Sequence, residues 1–471
     1  MLKVVNKKLH ALSYRTRCKS KSKTTRCPIP PPETLSLIIH YLSTWDPTQT
    51  DAIPYESDEL QGQILILRSF LPTQRNLHSA CLVSKLWYSC TIEHLYSKPL
   101  LASDRSLALF ARTIGGEDGV QLRRLVRSVS TVGVLGFCGV PSVLERVVYR
   151  GRTKCRVNAA KNLDTTLEAC ERLEAVGIQI GYANPTDLHR LTKPLLLNPN
   201  HLANLRRLAL CCGHANLDSL RLPLTLPRLE ELSLERFELG SSFVWPDMPG
   251  LVRLRIARCS ITRAESVLPL NIPSLLHIEL VNSYSFKQNQ VHDLYHYASQ
   301  LESLILIGPW WNNRATSLDF GRFERLRELV MDPHIVDHVH GVFVPDLEAL
   351  PGCLERLCIL RRKARAPHLN VGGTEAVLRD GLIGLLRGEG REAFKEVYVE
   401  GDLGVWAGVV DELFELCRKK GVKHRLLLSD SKHKYSNSSS ARVTRREEGW
   451  WWWSPLGPFG LLRCSPTSLR A

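Results

Sequence analysis

The sequence predicts an α/β chain: a small helical bundle near the N-terminus, then a stack of short parallel strands. Three observations carry this. The motif L-x-x-L-x-L, with apolar exchanges, returns seven times between residues 204 and 359. Directly after Pro30, Pro31 and Pro32, the residues Leu35, Ile38, Ile39 and Leu42 fall at i, i+3, i+4 and i+7, one face of a short helix. A second helical tract over 76–101 holds no glycine, and its first proline is Pro99.

The chain has 471 residues and is 44% hydrophobic, enough for a large core. Its formal charge is +15, unevenly spread. Residues 1–27 carry nine Lys or Arg and no acid, and residues 429–471 carry seven against three acids, so the body between them holds about +2. The basic character belongs to the ends, and a nucleic-acid footprint on the body is not favoured. The 14 cysteines include no C-x-x-C pair. Cys211 and Cys212 are adjacent and Cys353 and Cys358 five apart, spacings unlike a zinc ribbon. Buried free thiols in a reducing compartment are expected. No apolar run is long enough to cross a bilayer. Residues 1–27 read as a disordered basic tail, or as a nuclear signal around KSKSK. Their acid-poor, Ser/Thr-rich composition also suits a transit peptide.

In the helical tract, proline suits the approach to a helix and its first turn, because its missing N–H would be unbonded there. Glu33 then meets the positive end of the dipole. Leu37 and Tyr41 make a second stripe beside the first, so this helix wants cover on two sides. Residues 76–101 read as two short helices with a break near Trp87–Ser89. Three such helices form a bundle that is marginal by size alone.

These residues resemble the F-box family. The first half of its pattern is met at Pro31, Glu33, Leu35, Ile38, Ile39, Tyr41 and Leu42, and the second at Leu77, Ala80, Leu82, Val83, Lys85, Trp87 and Tyr88. Pro30 stands where the family has a leading leucine, and residues 43–75 form an unusually long insert between the halves. The resemblance implies docking onto the Skp-family adaptor of a cullin ubiquitin ligase core through Pro31, Leu35, Ile38, Ile39, Leu42, Leu77, Leu82, Val83 and Trp87.

The repeats begin at 204, 228, 250, 274, 300, 325 and 353, with weaker members at 172 and 394 and a further candidate at 121. This spacing is the leucine-rich-repeat signature, in which each motif supplies one parallel strand and stacks its leucines on its neighbours. Only Leu251–Ile261 carries the complete pattern, with Cys259 in the Asn/Cys position, so an asparagine ladder is not expected. Residues 106–114 read as a helix and 124–136 as a strand joining bundle to array; 404–420 read as an amphipathic helix and 422–428 as a closing strand. The remaining strand positions are expected on the concave face, as a surface for a substrate protein: Arg207, Glu231, Glu235, Arg253, Arg255, His277, Glu279, Glu328 and Arg356, with Ala209, Ser233, Ser303, Ile305, Val330 and Cys358 between them.

No phosphate loop, G-x-S-x-G elbow or dinucleotide fingerprint occurs. His334, His338 and His340 read as loop histidines, and His292 and His296 lack the glutamate a zinc protease needs. Trp310 and Trp311 fit either a binding anchor or a core roof. No catalysis, cofactor or metal is expected. The domains expected are a basic N-terminus (1–27), an F-box-like domain with its insert (28–101, insert 43–75), a leucine-rich-repeat-like solenoid (102–428) and a low-complexity tail with Trp450–Trp453 (429–471). The expected function is an adaptor that joins a ligase core to a substrate protein in the cytoplasm or nucleus, without a membrane. The alternative is a repeat scaffold with no ligase role.

Overall fold

The computed structural model describes residues 31–43, 74–101, 103–131, 161–180, 203–216, 225–239, 243–261, 268–270, 272–281, 292–307, 318–331, 336–337, 341–342, 347, 350–360, 371–388, 393–402, 406 and 408–429. The basic N-terminus, nearly all of the 43–75 insert, Trp310, Trp311, His334, His338, His340 and the tail beyond 429 lie outside the described residues. The chain forms two compact units, one of residues 1–233 with 246–248, the other of 234–245 with 249–471.

The first unit opens with helix α1 (Pro32–Ser43), whose first turn holds Glu33 and whose Leu35 N–H donates to Pro31 O at 3.0 Å. Helix α2 spans 74–81 and α3 Lys85–Ser97. The break between them lies at 82–84, earlier than Trp87–Ser89, because Ser84 is the N-cap of α3 and its Oγ accepts from Trp87 N–H at 3.3 Å. Helix α1 packs on α3. Leu35, Ile39, Leu77 and Ala80 are buried. Helix α4 (Asp104–Gly115) starts with a reciprocal capping box between Ser103 and Ser106.

Parallel strands follow in chain order. Strand β1 (Leu100–Leu101) pairs with β2 (Ser128–Thr131), β2 with β3 (Ala175–Ile180), and β3 with β4 (Arg207–Asn216). Helix α5, 161–169, precedes β3. The candidate motif at 121 is displaced: Val120–Arg123 is one helical turn, and the inward triplet of this strand is Val126, Val129 and Thr131. Strand β5 (Glu231–Leu239) begins at the end of this unit.

In the second unit β6 (Arg253–Ala257), β8 (His277–Val281), β9 (Ser303–Ile307), β10 (Glu328–Met331), β13 (Arg356–Ile359), β14 (Glu396–Asp402) and β15 (Lys423–Ser429) pair successively, all parallel. Strand β7 (Ser260–Ile261) pairs with the end of β5, and β11 (Val336–Asp337) forms an antiparallel pair with β12 (Gly341–Val342). Helices α6 (Val371–Arg387) and α7 (Val410–Lys419) pack together, and α7 rests on β15. The closing helix is shorter than the expected 404–420, and Trp406 before it is buried. The architecture is α/β, with the successive parallel strands of a solenoid.

The register puts each motif's leucines in line. Leu251, Leu254 and Ile256 are followed by Leu275, Ile278 and Leu280, by Leu301, Leu304 and Leu306, and so on to Phe394, Val397 and Val399, all buried. Leu173, Val176 and Ile178 do the same in the first unit, so the weak motif at 172 is a full repeat. Each buried side chain of this size contributes about 1.5–3 kcal/mol.

A polar device tightens the turns in place of the missing asparagine ladder. In three repeats of the second unit the residue just before the first leucine reaches back to two carbonyls of the preceding turn. Ser274 Oγ donates towards Pro249 O and Leu251 O, Gln300 Nε2 to Ile272 O and Leu275 O, and Cys353 Sγ to Glu324 O and Leu326 O.

Truncating Leu304 to Ala is expected to cost about 2–5 kcal/mol in urea denaturation. Glu230→Ala, which removes an exposed partner of Arg206, is expected to cost at most about 1 kcal/mol.

Candidate functional site

Two surfaces emerge from these elements. The first is the strand face opposite the leucines. In the second unit, register aligns Arg253, His277, Ser303, Glu328, Arg356, Glu396 and Lys423 as one row across the strand starts. Two residues on, Arg255, Glu279, Ile305, Val330, Cys358, Tyr398 and Arg425 make a second row. Arg207 and Glu231 occupy the same kind of position in the first unit, half-buried.

The charges on this face are largely engaged with one another. Arg255 Nε lies 3.4 Å from Glu279 Oε1, an ion contact that falls short of hydrogen-bond geometry. Glu328 accepts from Ser303 Oγ at 2.8 Å and meets Arg356 at 3.1 Å. Glu235 lies 3.7 Å from Arg258 and 3.9 Å from Arg236. Arg236 and Arg258 each stand two residues after the last motif residue of successive repeats, Leu234 and Ile256, and both are left-handed, with φ of 64° and 55°. A left-handed non-glycine residue costs about 1–2 kcal/mol. Here it turns the next side chain, Phe237 or Cys259, into the core. Burial, and secondarily the neighbouring Arg258, lower the Arg236 guanidinium to about 10.

Towards the strand ends the face becomes apolar. Ala257, Val281, Ile307, Val330 and Leu360 form a buried cluster, with Ile305, Cys358 and Tyr398 packed against it. The second row thus passes from an ion pair at Arg255 and Glu279 to a hydrophobic layer from Ile305 onward. Tyr398 OH donates to Glu400 at 2.6 Å, and Arg425 sits 5.7 Å from the Tyr398 ring centre. Burial pushes the Cys358 thiol and the Tyr398 phenol up, so both stay protonated at neutral pH.

Beside the strand starts runs an alternating charge ladder that the motif search does not single out. In the first unit Arg127 pairs with Glu174 at 3.3 Å and Arg206 with Glu230 at 3.1 Å. In the second, Glu355 lies between Arg327, at 3.9 Å, and Lys395, at 2.7 Å. The Lys395 hydrogen bond chiefly holds the Glu355 carboxyl below its usual range. Each position is the residue after the first leucine. Its backbone is also hydrogen-bonded to its neighbour's, as in Arg206 N–H to Glu174 O at 2.8 Å.

The second surface is the helical bundle. Leu37 is 70% exposed, Leu82 73%, Val83 63% and Tyr88 47%, so four of the eight large hydrophobic residues left exposed among the described residues fall on this small element. The expected docking set divides accordingly. Leu82 and Val83 lie in the turn before α3 and face solvent, Pro31 is exposed, and Ile38 and Trp87 are half-buried. Leu35, Ile39 and Leu77 are buried within the chain and hold the bundle together instead. Leu42 lies in α1, but its side chain is outside the described residues. Leu37, four residues before Tyr41, takes the outward place that the main stripe seemed to offer. Between α1 and α3 the rings of His40 and His94 meet edge to face, centres 6.3 Å apart. Burial lowers the His94 pKa below its ordinary 6.5, against the opposing effect of Glu93, and His40 lowers it further.

Among the described residues no group of three His, Cys, Asp or Glu is placed to hold a metal ion. His292 and His296 lie on a six-residue 3-10 helix. No described helix is long and apolar enough to cross a membrane. Comparison with protein-family models finds no match, and comparison with curated proteins finds none.

Burial pushes the Cys170 and Cys259 thiols up to about 12. Both should resist iodoacetamide at pH 8 in the native chain and react once urea is added, as read by peptide mass. The depressed His94 pKa means that the unfolded chain takes up its proton first. Its contribution to bundle stability is therefore present above pH 6.5 and lost as pH falls through the folded value. Amide protection factors in 85–97, taken relative to the intrinsic rate at each pH, should fall between pH 7.5 and 5, and His94→Gln should flatten that response.

Proposed function

We propose that the chain is a non-catalytic adaptor, in which the helical bundle of α1 to α3 docks a Skp-family subunit of a cullin ubiquitin ligase and the repeat array holds a substrate protein. The observation that carries this reading is the exposure of Leu37, Leu82, Val83 and Tyr88 on a bundle whose sequence follows the F-box pattern. Exposed large apolar side chains concentrated on one small element favour a covering partner. The bundle keeps its own core in Leu35, Ile39, Leu77 and Ala80, so docking need not unfold it.

The array supplies the other half. Its polar face offers fixed positions rather than flexible loops, since β8, β9, β10, β13 and β14 are each held in register on both sides by backbone pairing. A captured protein would be held near a ubiquitin-conjugating enzyme, and proximity alone raises the transfer rate. The adaptor has no need of a nucleophile, and the buried thiols of Cys170 and Cys259, with the half-buried one of Cys358, are held in their unreactive, protonated form.

Leu82→Asp with Val83→Asp is expected to abolish co-purification with the Skp-family adaptor while leaving the circular dichroism unchanged. Leu35→Asp is expected to disrupt the bundle itself. Wild-type chain that never retains the adaptor would overturn the reading and favour a scaffold without a ligase role.

A further inference from the structure

Strand β1 (Leu100–Leu101) opens the sheet of the first unit, and no described strand pairs with its outer edge. Leu100 stands opposite Ser130 of β2, and the Ser130 N–H donates to Pro99 O at 3.1 Å. In a parallel ladder, one residue bonds the two residues that flank its partner. Ser130 thus engages Pro99 and Leu101, and the N–H and C=O of Leu100 both point away from β2. Leu100 is buried, so leaving this donor and this acceptor without partners would be costly.

A side chain meets them in place of a strand. The amide of Gln74, on α2, is oriented so that its Nε2 donates to Leu100 O at 3.2 Å and its Oε1 accepts from the Leu100 N–H at 2.8 Å. A side-chain amide carries a donor and an acceptor side by side, as a peptide unit does. Glutamate at neutral pH would offer acceptors only, leucine would offer neither, and asparagine is one methylene shorter. Gln74 therefore bonds β1 as one residue of a further strand would. Its own helix holds Leu77 and Ala80 in the core and runs into the turn of Leu82 and Val83, which faces solvent. From that turn α3 returns to the same strand. Only Lys98 and Pro99 separate Ser97 from Leu100, and Ser97 O accepts from the Arg127 N–H at 2.9 Å, just before β2. The exposed turn is thus tied to the first strands from both sides, through α3 along the chain and through α2 by Gln74.

We infer that Gln74 is a positioning residue: it closes the outer edge of β1 and thereby fixes the turn of Leu82 and Val83 relative to the first strands of the array. An unclosed edge would be a template for another extended chain. The closure of the edge stands by itself. That the fixed turn is a docking surface rests on the function proposed above, in which a fixed pose would hold the ligase core and the captured protein at one mutual geometry.

The test is hydrogen–deuterium exchange of the full chain, resolved to single amides, in the wild type and in Gln74→Met. Methionine keeps the length and most of the volume of the side chain and removes both hydrogen bonds. In the wild type the outward Leu100 amide should be protected as the inward Leu101 amide is. In Gln74→Met it should exchange roughly tenfold faster or more, with the β6 to β10 amides unchanged. Adding the Skp-family adaptor should slow Leu100 together with 82–88 in the wild type, and 82–88 alone in Gln74→Met. A Leu100 amide that is unprotected in the wild type, or equally protected in Gln74→Met, would overturn the inference, since packing alone would then explain the side chain. Slowing at 82–88 with the same Leu100 response in both chains would overturn the positioning role. No slowing at 82–88 in either chain would strike the docking reading instead, and the Leu100 amide without the adaptor still decides whether Gln74 closes the edge.

Discussion

The structure rests on one constraint: three apolar side chains per repeat must be covered by the repeat beside it. Leu254, Ile278, Leu304, Leu329, Leu357 and Val397 form a single register line, and a shift of one residue would send every one of them to the opposite face. That cost fixes the register, and the register places everything else. It is the reason Arg255 meets Glu279 and Glu328 meets both Ser303 and Arg356. The exposed ion pairs of the ladder are individually weak. Their alternation adds specificity for neighbour and register more than stability.

The polar turns follow from the same stacking. Because each turn sits on the one before it, a single donor at the position before the first leucine can reach two carbonyls at once. Serine, glutamine and cysteine serve at Ser274, Gln300 and Cys353, three different side chains for one backbone requirement. The array therefore tolerates irregular sequences where an asparagine ladder would not. Cys259 meets a related need within the core, its thiol directed at Leu234 O and Ala257 O. The raised thiol pKa keeps the proton needed for that donation.

The repeat strands were legible because their signal has period two and recurs. Where either property failed, the sequence misled. At 121–131 the apolar residues Leu122, Leu125 and Val126 fit two offsets, and only the pairing of Ser128 with Ala175 decides for the later one. The break before α3 was placed too late because hydrophobicity continues through Leu82 and Val83, whereas the cap at Ser84 ends the turn. In the bundle, the apolar stripe carries a related ambiguity. A stripe at i, i+3, i+4 and i+7 identifies the face that is covered, and Leu35 and Ile39 are covered by the chain itself. The outward residues, Leu37, Leu82 and Val83, lie off that stripe. The strand positions opposite the leucines are readable as an alternation, but their mutual pairing and the change to a hydrophobic layer at Ile305 depend on neighbours 20–30 residues away. The turn ladder escaped notice because the motif says nothing of the residue preceding it.

The central claim is that the apolar residues around the turn before α3 are kept open for a second polypeptide. Hydrogen–deuterium exchange of the full chain, alone and mixed with the Skp-family adaptor, tests it most directly. The account predicts strong slowing of amides 82–88 on adding the adaptor, with the β6 to β10 strands unchanged. No change at 82–88 when the adaptor is added would contradict it.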